Sequence, residues 1–164
     1  PFAIPATGAI EYQYIRIPTG LTEDKWMAAI EIKPEARAQV HHVIAFTVPA
    51  GAPITPGAAL GPGNIGGVTP NKPGVVFDPG VGRMLAGNSD IVLQMHYTTN
   101  GKATTDRTQV GLRFLKEPPQ WQQRGGSALN LGFVIPAGAP AHEVRAARTL
   151  PHARQGHDLH GEVS

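Results

Sequence analysis

Proline and glycine break this chain so often that long helices have no room. The 20 glycines and 16 prolines make up 36 of its 164 residues. Proline lacks the N–H that a helix interior or central strand requires, and glycine loses the most backbone freedom on ordering, so this density favours many turns between short strands. The runs between the turns are rich in β-branched and aromatic residues and several alternate apolar with polar. Together they predict an all-β fold, an antiparallel β-sandwich of jelly-roll type with almost no helix. A hydrophobic content of 41% over 164 residues suffices for one core, or for one domain and a fraction of a second.

In chain order, residues 1–8 read as a proline- and alanine-punctuated entry arm, with a frayed terminus as the alternative. Glu11 to Ile17 is a strand that Pro18-Thr19-Gly20 ends, and Trp26 to Ile32 is a second, stopped by Pro34. Gln39 to Val48 is a third. Pro49 to Gly82, dense in Pro and Gly and without apolar periodicity, is expected to be an ordered surface loop; Asp78 within it has no assigned chemistry. Arg83 to Leu85, Asp90 to Thr98 and Thr108 to Leu115 complete the strands of a first domain, residues 1–125. Polar residues from Gln120 to Ser127 mark a boundary, and Asn130 to Ile135 and His142 to Ala147 are expected to open a second domain, residues 126–164, as two further strands.

Two strand segments carry histidines: His41-His42, opening the run Val43-Ile44-Ala45-Phe46-Thr47-Val48, and His96 in Gln94-Met95-His96-Tyr97. An imidazole inside a sheet needs a partner for each ring nitrogen. A backbone carbonyl can serve; so can an ion that His41, His42 and His96 share. Three neutral imidazoles without cysteine suit copper or zinc and leave a coordination position open. His42 and His96 lie 54 residues apart (96 minus 42), which is not a ligand-spacing motif and does not choose the metal. Successive side chains on a regular strand face opposite ways, so His41 and His42 can meet one ion only if a bulge or strand end turns them together. On the second strand, Ile91, Leu93 and Met95 share one face and Val92, Gln94 and His96 the other, which makes Met95 core filler.

At these residues the chain resembles the copper type II, ascorbate-dependent monooxygenase family, which includes the enzymes that hydroxylate peptidylglycine and dopamine, and especially its bacterial members. The resemblance lies in His41-His42-Val43-Ile44, in Leu93-Gln94-Met95-His96-Tyr97 with Thr98-Thr99-Asn100-Gly101 after it, in Asp106-Arg107-Thr108 and in Val110-Gly111-Leu112. It implies that His41, His42 and His96 are the three ligands of one copper. It also implies a two-copper working unit, because hydroxylating a C–H bond with O₂ consumes two electrons and each copper handles one. In the family the His-only site stores and passes an electron supplied by ascorbate, while a His and Met site binds oxygen beside a small-molecule or peptide substrate. The second site's His-x-His element is expected inside a Pro-His-Met-His-x-Arg-Gly pattern. Here Pro151-His152-Ala153-Arg154-Gln155-Gly156 lacks the second His, and no Met follows before Ser164. His152, His157 and His160 read as a solvated His-rich tail. By resemblance the chain is the electron-transfer half, and its setting periplasmic or secreted.

Composition narrows the alternatives. The net charge of +2 and isoelectric point near 9.2 come from scattered Lys and Arg, so neither nucleic acid nor an anionic membrane is indicated. No cysteine is present, which rules out disulfides and thiolate metal sites and departs from the animal members of the family. No apolar stretch reaches a membrane span, and no signal-peptide pattern opens the chain, whose start at Pro1 points to processing or excision. A non-catalytic metal-binding or structural β-sandwich module is the other reading. A zinc hydrolase would need a general base, and no Glu or Asp adjoins the three histidines in sequence.

Overall fold

Most runs in which apolar and polar residues alternate are extended and paired in residues 1–125. The computed structural model describes residues 1–55, 57–69, 72–125 and 127–149. Its strands are β1 (Phe2–Ile4), β2 (Gln13–Pro18), β3 (Lys25–Lys33), β4 (Val40–Pro49), β5 (Asn64–Val68), β6 (Gly74–Val76), β7 (Val81–Leu85), β8 (Ser89–Tyr97), β9 (Thr104–Asp106), β10 (Gln109–Phe114) and β11 (Trp121–Gln122). The helical content among the described residues is a single 3₁₀ turn, Ala58–Leu60. One sheet runs β2-β8-β4-β5 and another β10-β3-β7-β11, with β6 also pairing β3, while β1 and β9 form a separate ribbon. All pairings are antiparallel apart from the two-residue β7–β11 contact. The expected all-β, antiparallel class is observed.

The main core lies between the two larger sheets. Met27, Ile30 and Ile32 of β3 meet Val43 and Ala45 of β4, Ile65 and Val68 of β5, and Ile91, Leu93 and Met95 of β8. The period of two explains the set: Val43 pairs with Met95 and Ala45 with Leu93, so these four share the inner face. Phe46 and Val92, one step further, face outward, and Val48, Ile54, Ala58 and Ala59 gather over them in a second apolar cluster. The loop that brings in this cover is tied by Arg16, which donates to Asp90 Oδ2 at 2.6 Å and to the Ala52 carbonyl, and by the Gly51 N–H on the same Asp90 oxygen at 3.1 Å. The Arg16 hydrogen bond first, then the one from Gly51, hold the Asp90 carboxyl below the usual carboxylate range.

Three expectations are corrected. The entry arm is not frayed: β1 pairs with β9, Ile4 is 1% exposed, and Phe2 stacks on Tyr97 with ring centroids 4.9 Å apart. Pro49 to Gly82 is more than a surface loop, because it contains the 3₁₀ turn, β5 and β6 and buries Ala59, Ile65 and Val68. Its glycines obscured the strands and yet are what permit them. A Cβ on Gly67 would lie 2.6 Å from the Val43 carbonyl oxygen, so only glycine lets β5 close on β4.

The third correction concerns the last part of the chain. Packing divides the protein into Pro1–Gly126 and Ser127–Ser164. Among described residues 127–149 neither Asn130–Ile135 nor His142–Ala147 forms a strand. Leu131 and Val134 are 86% and 80% exposed, so no partner face stabilises an extended run there. Asn130 instead engages the backbone, accepting the Gly132 N–H two residues on at 3.0 Å and donating to the more distant Arg145 carbonyl at 2.9 Å. No helix among the described residues is long and apolar enough to cross a membrane.

Candidate metal centre

The three histidines meet where β4 and β8 run side by side. At this end of the ladder Val40 faces Tyr97 and His42 faces His96, so two steps on β4 match one on β8 and His41 is the extra residue. This is the bulge that the His-His doublet requires. Its effect shows in the burial pattern: Val40 and Val43 both enter the core although they are three residues apart, and the two residues between them both turn away from it. A regular strand would have sent one histidine inward.

The resulting cluster is tight. Each of His41, His42 and His96 offers a ring nitrogen, and the three atoms lie within 4.8 Å of one another. The Nδ1 atoms of His41 and His42 are 3.1 Å apart, a contact in which one ring holds the proton that the other accepts. Ring centroids are separated by 5.3 Å for His41–His42, 5.1 Å for His41–His96 and 4.9 Å for His42–His96. Nitrogens that share one ion through bonds of about 2.0–2.1 Å sit roughly 3.3–3.6 Å apart, so the observed cluster is within small ring rotations of a coordination shell. The group can hold a metal ion. His41 is exposed and His42 and His96 are half-buried, which leaves a side open to solvent.

His96 differs from an ordinary strand histidine in one respect. Its Nδ1 is buried and has no hydrogen-bond partner. Such an orphaned polar atom costs about 1–3 kcal/mol in a folded protein and calls for an explanation. Burial, and then the nearby His41, push the His96 imidazole below its usual value of 6.5, a shift toward the neutral form that a metal needs. Tyr12 flanks the cluster, its ring centroid 4.8 Å from that of His96 and 6.0 Å from that of His42. Sequence reasoning used Tyr12 only as strand composition. The signal was the register, since Gln13 opposite Met95 puts Tyr12 and Tyr14 on the His96 side of the sheet.

Met95 is fully buried in the core, as its place in the alternation requires. Asp78 is exposed in a turn and is not among the clustered residues, and neither is the exposed His142. His152, His157 and His160 lie outside the described residues. Among the described residues no carboxylate joins the three imidazoles. Compared with models of known protein families, with curated proteins and with solved structures, the chain matches none.

Proposed function

We propose that His41, His42 and His96 bind copper, and that the chain is the His-only, electron-passing half of an ascorbate-dependent copper monooxygenase that hydroxylates a C–H bond with O₂. The observation that carries this reading is the buried, partnerless Nδ1 of His96 in a cluster of three imidazoles. A metal ion bound by His96 through that nitrogen would give it the partner it lacks. The donor set suits copper or zinc, since three imidazoles accept either and neither thiolate nor carboxylate is present in the cluster; the choice of copper rests on the family resemblance. When bound, copper supplies a one-electron couple. That resemblance is carried by the His41-His42-Val43-Ile44 and Gln94-Met95-His96-Tyr97 segments. A jelly-roll arrangement of the sandwich and an exported setting belong to this proposal.

The chain's own residues perform three tasks in it. The bulge turns His41 and His42 to one side, the ladder brings His96 opposite them, and burial disfavours protonation of the His96 ring. Zinc hydrolysis is less favoured, because a general base for water has no candidate carboxylate in the cluster.

The test is a copper titration of metal-free protein followed by ascorbate. Paramagnetic Cu(II) should bind at about one equivalent, His96→Ala should weaken it at least tenfold, about 1.4 kcal/mol, and ascorbate should bleach its signal. Equal affinity in His96→Ala would remove the histidine from the site. Copper that binds tightly and stays oxidised under ascorbate would favour a non-catalytic metal-holding module instead.

A further inference from the structure

Asp106 is 2% exposed, on β9, and its carboxylate is engaged by neutral donors from three separate places in the chain. Oδ1 accepts the Ala36 N–H at 2.9 Å; Oδ2 accepts the Tyr97 hydroxyl at 2.9 Å and the Thr108 hydroxyl at 2.6 Å. Two of those donors lead directly to the histidines. Tyr97 adjoins His96 and is the β8 residue facing Val40. Ala36 lies in the turn before β4, and its carbonyl accepts the N–H groups of Gln39, at 3.0 Å, and of Val40, at 3.2 Å. The Thr98 N–H donates to the Gln39 carbonyl at 2.7 Å and closes the far side. Asp106, Ala36, Val40 and Tyr97 thus form a closed circuit around the base of the bulge.

The circuit matters because a bulge has competing registers. If β4 slides by one residue, its side chains exchange faces, and one histidine of the doublet turns into the core while a valine turns out. The arrangement with Val40 opposite Tyr97 and His42 opposite His96 is the one that points all three imidazoles together. A carboxylate can fix it because Oδ1 holds the Ala36 N–H ahead of β4 while Oδ2 holds the Tyr97 hydroxyl on β8, so one buried group ties the approach to one strand to the end of the other.

We propose that Asp106 is a positioning residue for the histidine cluster: by gripping Tyr97 on β8 and Ala36 ahead of β4, it locks the register of the bulge and so the convergence of His41, His42 and His96. The effect on ring placement is a property of the metal-free chain. The effect on affinity rests on the metal-binding reading given above.

The experiment uses the full 164-residue chain as wild type, Asp106→Ala, Asp106→Asn, Tyr97→Phe and, as a control, Leu85→Ala, which opens a cavity in β7 away from the histidines. Proximity between the His42 and His96 ring protons is read by nuclear Overhauser effects in chelator, and Cu(II) affinity is read separately. Asp106→Ala should lose the ring–ring effects and bind copper about 10–100-fold more weakly, the range for groups that orient metal ligands. Asp106→Asn, which keeps an acceptor oxygen, should recover part of both, and Tyr97→Phe should show a smaller loss in the same direction while keeping the ring that stacks on Phe2. Leu85→Ala should keep the ring contacts despite its lower stability. Intact ring contacts in folded Asp106→Ala, or in Tyr97→Phe should Asp106→Ala not fold, would overturn the proposal, as would equal loss in Leu85→Ala. Failure of the metal reading looks different: a wild type with its ring contacts in place that takes up no copper.

Discussion

Replacing His96 with phenylalanine separates what this residue does for the metal from what it does for the fold. The phenyl ring keeps the packing beside Tyr12, at a centroid distance now 4.8 Å, and deletes the buried nitrogen that has no partner. An unsatisfied buried polar atom costs about 1–3 kcal/mol, and the half-buried position of the ring argues for the lower end, about 1 kcal/mol. For a chain of 164 residues that is a rise in Tm of about 2–4 °C without metal. With copper at a hundred times its Kd, wild type gains about 2.7 kcal/mol, or roughly 5–10 °C, and the variant gains little. The two proteins should therefore exchange rank: variant above wild type in chelator, wild type above variant in copper. Thermal unfolding followed by tryptophan fluorescence in both conditions reads this directly. A variant that melts several degrees below wild type in chelator would mean that the nitrogen is satisfied in solution, and a variant that keeps the copper-dependent gain would mean that it is not a ligand.

Copper should be released as pH falls below about 6, because ligating imidazoles must be neutral and His96 already sits below its ordinary value. The sign for the metal-free fold follows: the unfolded chain binds a proton at His96 more readily than the folded one, so this contribution to stability is present above pH 6.5 and is lost as pH drops through that region. Affinity unchanged down to pH 4 would argue against histidine ligation. Met95→Leu, a swap of similar volume at a fully buried position, should cost under about 1.5 kcal/mol in urea denaturation and leave copper affinity intact. Gly67→Ala should destabilise by about 1–3 kcal/mol, because its Cβ meets the Val43 carbonyl at 2.6 Å, and an unaltered denaturation midpoint would refute that close approach.

Much of this was readable from the residues. The alternation from Asp90 to Thr98 fixed which side chains enter the core and left His96 on the outer face, and the adjacency of His41 and His42 demanded an irregular strand, found between Val40 and His42. What escaped was set by tertiary contact. Asn64-Ile65-Gly66-Gly67-Val68 has poor intrinsic strand character, and only tertiary contacts explain its glycines, Gly67 against the β4 backbone and Gly66, at φ +141°, against Ile30 and Val75. Leu131 to Ile135 has good strand character and forms no strand, because an extended run needs an edge to pair with. Asp106 was visible as a residue of a resembling segment, but its bonds to Ala36 and Tyr97 span 70 and 9 positions and no local pattern announces them.

His42 and His96 are direct neighbours across the ladder and 54 positions apart along the chain (96 minus 42). The intervening segment, which holds β5, β6 and β7, must be closed into a loop before the two strands meet. The entropy of that closure is charged to strand pairing, and it grows only slowly with loop length. An ion arriving afterwards adds its binding energy to an encounter already made, so it acts on escape from the folded state rather than on arrival there. Metal supply would then govern how long each folded molecule lasts, while the speed of assembly stays with β4 and β8.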